Sequence, residues 1–132
     1  MKSSPVTHFE MPAEDNKRAK EFYESTFGWK MQQLGEEMGN YLLAQTAETD
    51  NKNMVKTPGV INGGFFKKGE YGTSPHVVIA VENLEDHMKL VKQHGGKIQG
   101  NPQDIPEIGK FVMFLDTEGN RVCMLQPLQM NS

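Results

Sequence analysis

Apolar and polar residues alternate along two short segments of the chain, and a histidine stands near the start of each. At residues 6–11 the alternation predicts a β-strand with His8 and Glu10 on one face. At residues 76–81 the same period predicts a second strand, with His76 on one of its faces. Both strands carry apolar residues on the opposite face, which we expect a helix to cover.

A helical period follows each of these strands. The first predicted helix begins after Asp15, whose side chain is suited to capping a helix, and ends at Gly28. The second predicted helix begins after Asn83 and ends at Gly95. We expect the apolar stripes of the two helices to bury four side chains against a sheet: Phe22, Phe27, Leu84 and Val91.

Apolar segments after each helix predict three further strands in each half of the chain. They cover residues 30–33, 41–45 and 60–66 in the first half, and residues 97–99, 111–116 and 122–126 in the second. Each half is therefore a βαβββ module of an α+β fold, and the chain nearly repeats itself. Because no linker separates the modules, at about 5–67 and about 73–127, we expect residues 1–132 to form a single domain. The polar segment 47–59 is predicted to be a surface loop.

Composition and charge exclude several classes of function. The chain has 132 residues, a net charge of −3 and no run of lysines or arginines, so a nucleic-acid partner is not expected. The single cysteine, Cys123, cannot form an intramolecular disulfide, which is typical of a reducing compartment. No apolar segment approaches the roughly 20 residues of a membrane helix, and the start lacks the apolar core of a signal peptide. A cytoplasmic protein without a membrane partner is expected.

The ordered set of these elements resembles the glyoxalase/bleomycin-resistance/extradiol-dioxygenase superfamily, also called vicinal oxygen chelate proteins, over nearly the whole chain. The residues that carry the resemblance are His8-Phe9-Glu10, Phe22-Tyr23, Phe27-Gly28-Trp29, the strand from His76, Gly95-Gly96-Lys97, and Phe114 to Asn120 before Val122 to Gln126. The resemblance implies that the two βαβββ modules form one curved mixed sheet around a concave cavity. It also implies a homodimer.

Metal-using members of this superfamily take ligands from the first and last strands of each module. By resemblance, His8 and His76 match the first-strand positions. The last-strand positions, usually carboxylates in glyoxalases, match Gly64 and Cys123. A catalytic zinc site typically uses three protein ligands, and the facial triad of iron oxygenases needs a carboxylate beside its two histidines. The resemblance therefore implies a metal site that lacks its carboxylates.

Three functions remain open for this set of residues. In the first, which the missing carboxylates favour, the protein binds a small organic molecule in the cavity without a complete catalytic metal site. In the second, His8, His76 and Cys123 bind zinc, iron or nickel in a divergent lyase, isomerase or dioxygenase, with Glu10 as the candidate base. In the third, the chain is a regulatory or interaction module.

The side chains expected to contact the organic ligand come from both modules. We expect the two histidines to face each other across one cavity, although they lie about half the chain apart. The predicted ligand-binding residues are His8, Glu10, Trp29, Phe66, His76, Phe111 and Met113, with Tyr41 a further candidate for the apolar lining. The pair Gly63-Gly64 either lets a ligand or a second chain approach the backbone or forms a bulge.

Overall fold

Two compact units make up the computed structural model, which describes residues 2–49, 59–69 and 71–128. The N-terminal unit is His8–Pro75, and the C-terminal unit comprises the described residues before His8 and from His76 onward. The N-terminal elements are β1 (Val6–Ala13), α1 (Asn16–Phe27), β2 (Lys30–Gln33), a 3₁₀ turn (Glu36–Met38), β3 (Leu42–Gln45) and β4 (Asn62–Lys67). The C-terminal elements are β5 (His76–Ala80), α2 (Leu84–Gln93), β6 (Lys97–Ile105), β7 (Gly109–Leu115) and β8 (Arg121–Pro127).

Each unit contains a four-stranded mixed sheet and one α-helix, so the predicted βαβββ order and the α+β class are confirmed. In the N-terminal unit the strand order is β2-β3-β4-β1, with β1 parallel to β4 and the other neighbours antiparallel. In the C-terminal unit the order is β5-β8-β7-β6, with β5 parallel to β8. The prediction that residues 1–132 are a single domain stays a prediction.

Both helices begin at the predicted caps. The Asp15 Oδ1 accepts a hydrogen bond from the Arg18 amide at 3.0 Å, and the Asn83 Oδ1 accepts one from the Asp86 amide at 2.9 Å. The first helix ends at Gly28, whose φ of 69° is the left-handed conformation that terminates many helices. Local sequence therefore fixes where each helix starts.

The helix-facing core of the N-terminal unit differs from the prediction. Phe22 and Phe27 are 55% and 60% exposed, so the expectation that α1 buries them is wrong. The ring of Tyr23 instead faces the sheet, and the turn at Gly28 brings Trp29 into a stacked contact with it at 4.7 Å. Because Trp29 covers Tyr23, Phe27 stays outside. The buried cluster is Ala13, Met31, Leu42, Ala44 and Phe65, with Phe9, Met11, Ala19, Tyr23 and Trp29 packed against it.

The corresponding core of the C-terminal unit follows the prediction more closely. Leu84 is 1% exposed, which confirms the expectation, and the partly buried Val91 packs on the same cluster. The buried members are Val81, Leu84, Val112, Phe114 and Met124. The helix stripe and the strand alternation of this module therefore meet on one face of the sheet.

One predicted strand is shorter than the strand in the structure. Strand β6 runs to Ile105 rather than ending at residue 99, because a register shift between Gln99 and Gln103 interrupts the alternation without ending the pairing with β7. Most of the predicted loop 47–59 lies outside the described residues. Within the described part of the chain, no helix is both long and apolar enough to span a membrane.

Candidate functional site

One face of the N-terminal sheet is turned away from α1 and carries polar side chains. Phe9 and Met11 pack on the helix-facing cluster, so His8 and Glu10, which alternate with them on β1, lie on the other face. Phe66 shares this face because it pairs with Pro12 across the parallel β1–β4 ladder, and it is 6% exposed. We call this surface the His8 face.

A hydrogen-bonded pair of side chains occupies the His8 face. The Tyr41 hydroxyl donates to Glu10 Oε2 at 2.7 Å in a partly buried position. Gly64 lies opposite Glu10 on one side and opposite Leu43 on the other. A Cβ atom built on Gly64 would overlap the Tyr41 ring. Gly64 therefore makes the space in which the ring can reach the carboxylate, and the group that approaches its backbone is a side chain of the same unit.

The backbone just before Tyr41 is held in place by two side-chain amides. Asn16 Nδ2 and Gln33 Nε2 both donate to the Asn40 carbonyl, at 2.9 and 2.8 Å. Asn40 itself has a φ of 56°, a left-handed conformation that asparagine tolerates better than most residues. The Tyr41 carbonyl also accepts a hydrogen bond from the Leu34 amide at 2.8 Å. This support positions Tyr41 on the His8 face, and the Gly39-Asn40 turn is the sequence signal for it.

His8 is an exposed residue of β1 whose imidazole is only partly shielded from water. Partial desolvation lowers the pKa of its imidazole from the ordinary value of about 6.5, and the nearby charge of Glu10 opposes that shift. The imidazole is therefore neutral at physiological pH. A neutral imidazole presents one hydrogen-bond donor and one acceptor, while the Glu10 carboxylate accepts hydrogen bonds, as it does from Tyr41.

The lowered pKa of His8 predicts a pH-dependent stability. Because the unfolded chain binds this proton more readily than the folded protein, the free energy of unfolding should fall as the pH drops from about 6.5 through the lower folded-state pKa. Urea denaturation between pH 8 and pH 5 should show a shallower fall for His8→Asn than for wild type. His94→Asn, at an exposed helix end, should keep the wild-type profile. Identical profiles for wild type and His8→Asn would contradict the assignment.

The C-terminal unit presents its own buried face opposite α2. Across the ladders Cys123 pairs with Val78 on β5 and with Met113 on β7, so the three side chains share one face. Cys123 and Met113 are 5% and 4% exposed. His76, two residues before Val78, lies on the same face and is also buried. Phe111, two residues before Met113, is on this face as well and is half-buried.

Trp29 is not brought together with the other candidate residues of its unit. It lies on the helix side of the sheet, 5.7 Å from the Phe9 ring and stacked on Tyr23, whereas His8, Glu10 and Phe66 lie on the opposite face. Its predicted role as a ligand-binding residue therefore has no support from the geometry of the N-terminal unit. The sequence pattern could not show on which face of the sheet Trp29 would lie, because Trp29 precedes β2 and is not part of its alternation.

The metal alternative requires donor side chains that converge on one point. No group of three or more His, Cys, Asp or Glu side chains that could hold a metal ion occurs among residues 2–49, 59–69 and 71–128. At Gly64, where the resemblance implies a carboxylate, there is no donor, and the Tyr41 ring fills the adjoining space. The N-terminal unit thus supplies His8 but no carboxylate at the implied position. Joint binding of zinc, iron or nickel by His8, His76 and Cys123 stays a prediction.

The order of elements in the two βαβββ units is the one that the resemblance to vicinal oxygen chelate proteins implies. The model of the Glyoxalase/Bleomycin resistance protein/Dioxygenase superfamily matches residues 6–124, and the chain belongs to this superfamily. A "Glyoxylase-like domain-containing protein" from Didymella fabae is 30% identical over 120 residues, covering 87% of this chain and 88% of that protein. The family expected from the sequence is confirmed.

Solved structures of methylmalonyl-CoA epimerases share the fold. The enzyme from Mycobacterium tuberculosis has a TM-score of 0.67 at 13% identity, covering 98% of this chain and 93% of that chain. A single-substitution variant of the Streptomyces coelicolor enzyme, in complex with 2-nitronate-propionyl-CoA, has a TM-score of 0.69 at 11% identity, covering 99% of both chains. At such identities the likeness establishes the architecture and leaves the activity to be argued from this chain's own residues.

Proposed function

We propose that this protein binds a small organic molecule on the His8 face and that it does so without a complete catalytic metal site. The observation that carries the proposal is the partly buried pair of Tyr41 and Glu10, joined at 2.7 Å beside an imidazole that is neutral at physiological pH. Partly buried polar groups on a sheet face that no helix of their unit covers are typical of a ligand site, where few polar groups fix the orientation of the ligand.

The donors and acceptors of this face define the chemistry of the ligand. The Tyr41 hydroxyl donates its hydrogen bond to Glu10. This hydrogen bond holds the Glu10 carboxylate in one orientation as an acceptor. His8 can donate to a carbonyl oxygen or accept from a hydroxyl group. Phe66 lies on the same face but is 6% exposed, so it offers little accessible apolar surface. A ligand that carries a hydroxyl or amide donor close to a carbonyl acceptor matches this arrangement. The contacts expected from His76, Phe111 and Met113 stay predictions.

The first experiment measures which side chains a bound probe needs. Wild-type protein is screened by ligand-observed NMR against hydroxyketones, 2-oxoacids, amides and methylmalonyl-CoA at millimolar concentration. For any binder, Glu10→Gln should weaken binding about tenfold or more, since a hydrogen bond to a charged group contributes about 1.5–3 kcal/mol. His8→Asn, which loses a hydrogen bond of a neutral imidazole worth about 0.5–1.5 kcal/mol, should weaken binding about two- to tenfold. His94→Asn serves as the control and should bind like wild type. A probe whose affinity is unchanged by both substitutions would contradict the proposal. So would a panel in which no compound binds.

Two further variants test the role of Tyr41. Tyr41→Phe removes only the hydroxyl group, so the fold is retained while Glu10 loses the donor that orients it. Gly64→Ala places a Cβ where the Tyr41 ring lies, which should displace the ring and break the same hydrogen bond. Both variants should weaken the probe to a similar extent. Normal binding by Tyr41→Phe would mean that the orientation of Glu10 is unimportant.

A proton-transfer enzyme is the second candidate, and the oriented Glu10 carboxylate is the observation that favours it. A general base needs to be held within hydrogen-bond reach of the proton that it removes. Incubation with methylmalonyl-CoA in D₂O, followed by NMR of the hydrogen between the two carbonyl groups, tests this activity. Exchange that requires Glu10 would establish an enzyme, whereas its absence at high protein concentration would favour a binding protein.

A further inference from the structure

A groove of the N-terminal unit lies on the helix side of its sheet. It is an open groove of about 610 Å³ between the end of β1, the first turns of α1 and the segment after β4. Its lining combines apolar side chains with two cations and two carboxylates: Met11, Phe22, Tyr23 and Phe65, then Arg18 and Lys68, then Glu14 and Asp15. Met11 and Phe65 belong to the face opposite His8 and Glu10, so this groove is separate from the His8 face.

The charged side chains around this groove differ in the ion pairs and hydrogen bonds that they form. Lys68 forms an ion pair with Glu14 at 3.3 Å, and Asp15 caps α1 by accepting from the Arg18 amide. The guanidinium group of Arg18 forms no hydrogen bond or ion pair with any residue in the described part of the chain. A cation that can present five donors is therefore available at the mouth of the groove.

The apolar wall of the groove is also unusual. Phe22 is 55% exposed, yet its ring is held edge-on to Tyr23 at 5.0 Å and does not extend freely into solvent. Aromatic pairs prefer this arrangement, which fixes the wall without a ligand. Below it, Phe65 is 3% exposed and belongs to the core. The groove thus has a rigid apolar floor, an aromatic wall and an available cation.

We propose that this groove binds an amphipathic organic carboxylate. Its aromatic or short acyl body would lie against Phe22, Tyr23 and Phe65, and its carboxylate would pair with Arg18, which matches planar carboxylates in a bidentate manner. The volume of about 610 Å³ falls within the range of roughly 300–1,000 Å³ typical of small-molecule sites. The carboxylates of Glu14 and Asp15 offset the charges of Lys68 and Arg18. The preference for an anion over a neutral compound of the same shape therefore rests on the guanidinium group of Arg18, which forms no ion pair among the described residues.

The test compares two probes that differ in charge, 1-naphthaleneacetate and 2-(1-naphthyl)ethanol, by fluorescence titration. Wild-type protein should bind the carboxylate about tenfold more tightly than the alcohol. Arg18→Gln should remove this preference, while Phe22→Ala should weaken both probes about five- to tenfold. Lys17→Gln, which loses the same charge from an exposed position of α1 outside the groove lining, should leave both affinities unchanged. Circular dichroism checks that each variant is folded.

Other outcomes would overturn the proposal. Equal affinities of the two probes in wild type, or an unchanged preference in Arg18→Gln, would exclude the carboxylate contact. A loss of probe binding in His8→Asn would place the probe on the His8 face instead. Unchanged probe binding in His8→Asn would show that the groove and the His8 face are distinct sites. Sedimentation equilibrium covers the remaining case: a dimer that Phe22→Ala dissociates, in protein that binds neither probe, would assign the groove to an interface between two copies of the chain.

Discussion

Phe65→Ala is expected to lower the free energy of unfolding by about 3–5 kcal/mol, the usual cost of truncating a buried phenylalanine. The side chain is 3% exposed, it pairs with Leu42 across β3 and β4, and its ring lies 5.3 Å from that of Tyr23. Its removal would leave a cavity that neighbouring strands, held by backbone hydrogen bonds, cannot close. Equilibrium unfolding in urea at constant pH measures the change.

Phe22→Ala is the matched control for this prediction. The same chemical change at a side chain that is 55% exposed and contacts the rings of Tyr23 and Phe27 should lower the free energy of unfolding by about 1 kcal/mol, well below the loss for Phe65→Ala. The hydrophobic pattern alone assigns Phe22 to the core, whereas the structure leaves it exposed. The pair of variants therefore tests which description of the burial of Phe22 is correct. Similar losses for the two variants would show that α1 is rotated relative to the described packing.

Cys123→Glu is expected to destabilise the metal-free protein strongly, by about 3 kcal/mol or more. The residue is 5% exposed and lies between Val78 and Met113, so a carboxylate there would lose its hydration without gaining a charged partner from these two neighbours. Urea unfolding at pH 7 in the presence of a chelator measures the loss. A variant as stable as wild type would mean that this face is open to water.

Added zinc should then recover part of the lost stability. A carboxylate on the same face as His76 adds one ligand to the donors of that face, and a metal that binds only the folded state at about 100 times its Kd stabilises by about 2.7 kcal/mol. Cys123→Gln, which has a similar shape without the charge, should gain much less from zinc. Turnover of methylglyoxal–thiol adducts is not expected, because Gly64 still supplies no ligand. Stoichiometric metal and turnover in wild type would instead identify Cys123 as a ligand.

Adjacent glycines of β4 serve the two faces of the N-terminal sheet in different ways. A Cβ on Gly63 would overlap the backbone carbonyl and ring of Phe9, on the helix side, while a Cβ on Gly64 would overlap Tyr41 on the His8 face. The pair therefore allows close packing on one side and a polar pair with Glu10 on the other. The position that the resemblance reserves for a metal-binding carboxylate is used here to seat an aromatic ring.

Sequence alone determined the features of this protein that depend on neighbours within a few positions. Strand alternation placed His8 and Glu10 opposite Phe9, because successive side chains of a strand point to opposite faces. Asp15 and Asn83 marked the helix starts, since a cap bonds an amide three residues later. The order of these local signals was enough to indicate the βαβββ modules and the superfamily.

Tertiary structure alone decided which side chains meet. Tyr41 reaches Glu10 only because β3, β4 and β1 are neighbours and Gly64 leaves room, and no local period encodes that pairing. Likewise, the apolar stripe of α1 could not show that Trp29 would fold back onto Tyr23 and leave Phe27 at the surface. These aromatic residues are close together in the sequence, and their packing against the sheet, not the helical period, determines which of their rings is buried.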